Sequence, residues 1–140
     1  MKAGPVIKAA QGHNRYCGPA ALSALARIDT REAARVLREV SGKAKICGVA
    51  ERYMVAALAR LGFLVEHHPI TRDDDGKLPT LAAWSKRGRS RLPYLVTLSS
   101  HYCVIQGRRY LDNKTGDFVP LRDAPNRRAR VKSVNLVIRP

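Results

Sequence analysis

Gln11-Gly12-His13-Asn14-Arg15-Tyr16-Cys17-Gly18-Pro19-Ala20-Ala21-Leu22 is the stretch on which the reading of this chain turns. The residues from Cys17 onward form an apolar helix over 17–28, with Gly18-Pro19 in its first turn, where proline's missing N–H costs nothing. A thiol at a helix N-terminus feels the positive end of the helix dipole, which favours thiolate over thiol. Gln11, six positions ahead of it, brings an amide able to donate to an oxyanion.

The partner stretch is Ser100-His101-Tyr102-Cys103-Val104-Ile105, followed by Gly107-Arg108 and then Asp112. Strand, glycine turn, strand reads as a hairpin, which carries the start of its first strand back to the end of its second. Asp112 is thereby within reach of His101, with Asn113 and Asp117 as substitutes. A histidine so held can serve as base to a thiol, and a carboxylate can fix its tautomer.

Outward from these two stretches the chain divides by period. A second helix is expected over 30–40, opened by a capping box of Asp29 and Glu32 and ended by Gly42. A third runs over 49–61 and stops at Gly62, and a short one follows Pro79-Thr80 to about residue 86. Strands are expected over 63–67, 94–98, 101–106, 109–111, 118–119 and 131–138. Helices first and strands later describe an α+β fold, N-terminal helices packed on a C-terminal antiparallel sheet. At 140 residues, 45% of them apolar, the chain is read as one domain over 1–140 with a single packed core.

Charge and cysteines narrow the class. A net charge of +15 suits an acidic partner. Basic residues gather at Lys86, Arg87, Arg89 and Arg91, and again at Arg122, Arg127, Arg128, Arg130 and Lys132. No aromatic interleaving accompanies them, so a solvated face or docking of an acidic protein is favoured over nucleic acid. Three cysteines without a C-x-x-C pair argue against a disulfide framework and for a reduced compartment, hence a cytoplasmic location. No apolar run is long enough to cross a membrane, and the first ten residues lack a signal-peptide core.

Rival sites are weaker. Cys47 also precedes a helix and a glycine but has no glutamine at the right distance. Cys17, His101 and Cys103 as a metal set lack a second metal-like spacing. His67 and His68 point to opposite faces of a strand, and Asp73-Asp74-Asp75-Gly76 lacks the alternation of a calcium loop. Neither a cofactor nor a metal is expected.

With Cys17-Gly18-Pro19-Ala20-Ala21-Leu22, the run Ala57-Leu58-Ala59-Arg60-Leu61-Gly62-Phe63, Leu81-Ala82-Ala83-Trp84, Pro93-Tyr94-Leu95-Val96 and the hairpin from His101 to Asp112, the chain resembles the papain-like cysteine peptidases. Within them it is most similar to the compact C39 type that processes bacteriocin precursors at double-glycine leaders. Tyr16 departs from that pattern, which has aspartate there. The resemblance implies a papain-like fold and a thiol peptidase without cofactor. It makes Cys17 the nucleophile, His101 the base, Asp112 the orienter and Gln11 the oxyanion donor, with a peptide or protein as substrate. The same chemistry serves acyltransferases of transglutaminase type, and a non-enzymatic basic binding module is the third reading.

Overall fold

The computed structural model describes residues 16–86 and 91–140. Three helices come first: α1 (Cys17–Ala26), α2 (Thr30–Ser41) and α3 (Glu51–Arg60). They are followed by β1 (Leu64–His68), the short α4 (Leu81–Ser85), β2 (Tyr94–Leu98), β3 (His101–Gln106), β4 (Arg109–Leu111), β5 (Val119–Pro120), a 3-10 turn (Leu121–Asp123) and β6 (Val131–Ile138).

Each helix ends where local chemistry stops it. α1 is two residues shorter than its apolar run, because Arg27 turns left-handed at φ 59° and its N–H, with that of Ile28, closes on the Ser23 carbonyl. The turn frees Asp29 to cap α2 by accepting from the Glu32 N–H at 2.8 Å. Only half of the expected box forms, since the Glu32 carboxylate pairs with Arg35 instead. α3 ends in a Schellman motif, with Gly62 at φ 91° and the Phe63 N–H bonded to the Leu58 carbonyl at 3.0 Å. Thr80 caps α4 by accepting from the Ala83 N–H.

The six strands form one antiparallel sheet in the order β1-β6-β2-β3-β4-β5. The α+β expectation holds, but the core divides in two. Leu22, Leu25, Leu37, Met54 and Leu58 of the helices pack on the sheet face bearing Leu95, Tyr102, Val104 and Val137. The opposite face, with Tyr94, Val96, Ile105, Tyr110 and Val134, is covered by Leu81 and Trp84 of α4 and by Ala124. A bulge between β2 and β6 pairs Thr97 with Ser133 and Leu98 with Val131. The residue it skips, Lys132, shifts the alternation, so Val131 and Val134 both reach the second face although they stand three apart. Among the described residues no helix is long and apolar enough to cross a membrane.

Candidate active site

His101 is placed by two turns. Leu98 pairs with His101 across a two-residue connection, and its second residue, Ser100, takes φ 56°, a left-handed conformation unusual for serine. At the far end, Gln106 pairs with Arg109 across Gly107-Arg108, with Gly107 at φ 60°, as a type II′ hairpin turn requires of its first central residue. Extending this register sets Asp112 opposite Cys103. That makes it the diagonal neighbour of His101 on the same sheet face, within reach of an imidazole. The ring's Nε2 lies 3.0 Å from Asp112 Oδ2.

Asp112 is fully buried and every acceptor position on it is used. Oδ1 accepts from the Lys114 and Thr115 N–H groups at 2.8 and 2.9 Å. Oδ2 accepts from His101 and from the Tyr110 hydroxyl, and Tyr110 in turn accepts from Asn126 Nδ2 at 3.1 Å. Burial alone would raise the Asp112 carboxyl. The donors, His101 and Tyr110 foremost, outweigh it and hold the group at about 2. Asp117, the alternative orienter, caps the Phe118 N–H instead.

Cys17 opens α1, which has neither a side-chain cap nor an acid in its first turn, so the sulfur is the group facing the dipole's positive end. Its neighbours across the fold are the first residues of β3. The His101 ring, the Tyr102 backbone and the Cys17 backbone each act on the sulfur in the sense that favours the thiolate. Because Nε2 is engaged by Asp112, Nδ1 is the ring nitrogen that serves Cys17. Burial resists ionisation of the thiol. The hydrogen bond from His101 leads the interactions that overcome it, and the thiol falls below its ordinary value. His101 moves the other way, raised to about 9 by its bond to Asp112 and then by Cys17. Opposite shifts on the two groups favour the thiolate–imidazolium form over the neutral pair. The ring's side chain is 17% exposed, enough for one edge to meet a ligand.

The structure thus joins three of the four residues singled out from sequence. Gln11 lies outside the described residues. Gly18 faces inward: a Cβ there would meet Met54 Sδ at 3.5 Å and Leu37 and Val49 at 3.8 Å. These are ordinary contact distances, so the position has room for a methyl group. Of the other thiols, Cys103 is buried on the face of β3 that also bears His101, where burial pushes it well up, and Cys47 is exposed. Cys47 lines a pocket of about 320 Å³ with Tyr16, Arg38 and Lys45, adjoining Cys17 through Tyr16. Among the described residues no three His, Cys, Asp or Glu side chains converge in a way that could hold a metal.

Two contributors are absent from the sequence reading. Tyr110 stands two residues before Asp112 on the same strand face, and that period-two spacing is its signal. Thr115 completes an Asp-x-x-Thr turn in which its hydroxyl bonds the Asp112 N–H at 3.0 Å, a motif readable from side chain to backbone. Comparison of the chain with protein-family models and with curated proteins returned no match.

Proposed function

We propose that this chain is a papain-like cysteine peptidase, closest in kind to the C39 leader peptidases, that hydrolyses a peptide or isopeptide bond through a thioester. The observation that carries the reading is the contact chain Cys17 sulfur, His101 ring, Asp112 carboxylate, with the thiol lowered and the imidazole raised.

The Cys17 thiolate attacks the carbonyl carbon and forms a C–S bond, moving the carbonyl electron pair to oxygen. Gln11 and the Cys17 N–H donate to that oxyanion. As the tetrahedral intermediate collapses, the C–N bond breaks and His101 Nδ1 passes its proton to the departing amine. Water then enters, His101 takes a proton from it, and the thioester opens to acid and thiolate. Asp112 keeps Nε2 protonated throughout and so keeps Nδ1 aimed at the sulfur.

Digestion of a mixed peptide library, read by mass spectrometry, tests this. Wild type should generate new termini and Cys17→Ala none, and hydroxylamine should divert acyl groups to hydroxamates. Transfer to added amines with no hydrolysis would identify an acyltransferase. Absence of both, with a Cys17 no more reactive than Cys47, would overturn the reading.

A further inference from the structure

One residue of the first basic run and two of the second, separate along the chain, meet in space. Lys86 from the first and Arg122 and Arg127 from the second line one pocket of about 290 Å³, joined by Arg108 from the β3–β4 turn. Backbone bonds set their spacing: the Leu121 N–H binds the Arg108 carbonyl at 2.7 Å, and the Ala82 N–H binds the Arg127 carbonyl at 3.0 Å. No carboxylate lines the pocket, and none of the four cations forms an ion pair among the described residues. Arg35 and Arg60, by contrast, share Glu39. Four like charges gathered around a concavity repel one another unless an anion joins them. The accessible apolar lining is small, with Ala82 and Leu121.

We propose that this pocket binds a small molecule carrying a di- or triphosphate, its organic part resting on Ala82 and Leu121. One phosphate ester brings about −1.5 to −2, roughly half of what four cations neutralise, so two linked phosphates match the site. Three of the four are arginines, whose planar forks suit phosphate oxygens. A glutamate or aspartate side chain brings a single charge, and a pocket of this volume does not take four of them. Single-stranded nucleic acid wants aromatic platforms for its bases, and none lines the pocket. The site stands at the turn end of the β3–β4 hairpin, roughly 17 Å along β3 from His101 at about 3.4 Å per residue. A ligand there leaves Cys17 open, and the inference does not depend on what Cys17 does.

Titration calorimetry on the full chain with pyrophosphate, ADP and sulfate at matched ionic strength tests it. Pyrophosphate and ADP should bind at least tenfold more tightly than sulfate. Arg108→Ser with Arg127→Ser should weaken both by tenfold or more, while Arg128→Ser, outside the pocket, leaves them within twofold. Amide NMR shifts on ADP binding should centre on residues 81, 82 and 121. Should the double variant fail to fold, Arg122→Gln alone should still cost threefold or more. Equal affinity for sulfate, indifference to both sets of substitutions, or tighter binding of oligothymidylate or a polyglutamate peptide through these residues would overturn the proposal.

Discussion

The Tyr110 hydroxyl donates a 2.5 Å hydrogen bond to Asp112 Oδ2. That oxygen also receives the His101 ring, so a tyrosine on the sheet's buried face shares the carboxylate that orients the imidazole. Tyr110→Phe removes one donor from a buried carboxylate and leaves Asn126 Nδ2 without its acceptor. Stability should fall by about 1–2 kcal/mol, read by denaturant titration. The carboxylate, less shared, should hold the imidazolium more strongly, moving the alkaline limb of the Cys17 reactivity profile upward. A downward move would mean that Tyr110 supports His101 by packing alone.

The shifts on Cys17 and His101 fix a pH window. Alkylation of Cys17 by iodoacetamide, mapped by mass spectrometry, should begin below the range of ordinary thiols, because the thiolate forms while His101 is charged. His101→Gln should move that onset upward. Under the proposed function, kcat/KM should decline as pH rises through about 9, where His101 loses the proton that the leaving amine needs.

Asp112 and His101 also link folding to pH. His101 is raised when folded, so its contribution is complete below its unfolded value of about 6.5 and fades as pH rises through about 9. Asp112 is lowered, so its contribution holds above about 4 and is lost as pH falls toward about 2. Unfolding free energy should therefore have its plateau between those limits. Asp112→Asn should flatten the acid side and cost about 2–4 kcal/mol at neutral pH, because an amide NH2 replaces one acceptor oxygen: with the remaining oxygen facing His101 and Tyr110, the Lys114 and Thr115 N–H groups meet a donor instead of an acceptor.

Within the proposed mechanism the variants should rank. Cys17→Ala and His101→Ala should abolish turnover, and Asp112→Asn should leave a residue of it. Gln11→Ala should lower kcat about 10²–10³-fold with little effect on KM. A Gln11→Ala enzyme with unchanged kcat would move the oxyanion role elsewhere.

Gly18→Ala separates packing from substrate approach. The new methyl would make ordinary contact with Met54, Leu37 and Val49, and alanine favours helix over glycine by up to about 1 kcal/mol. Tm should rise or hold, and KM should be unchanged. A raised KM with intact Tm would mean that the substrate does run past Gly18.

Much of this arrangement is written locally. Cys17 ahead of an alanine-rich helix, the glycine turn between β3 and β4, and the caps at Asp29, Thr80 and Gly62 are short-range features that pattern and turn chemistry reveal. What escapes is set by pairing at a distance. β6 alternates weakly because the bulge at Lys132 breaks its period, and only its registers with β1 and β2 explain which side chains turn inward. The second core depends on α4 and the segment after β5 folding across the far face, which no periodicity announces. Lys86, Arg108 and Arg127 belong together only because β5 closes beside β4 and α4 lies across them.

The strand order has a consequence for how the molecule is made. β6, the most C-terminal of the described strands, lies between β1 and β2, and β1 has no other neighbour in the sheet. A nascent chain leaving the ribosome can build α1, α2 and α3 early, yet β1 waits unpaired until residues 131–138 emerge. The sulfur of Cys17 is therefore translated long before the sheet that aims His101 at it can close, and the complete sheet around the reactive pair waits on a segment more than a hundred residues downstream of Cys17.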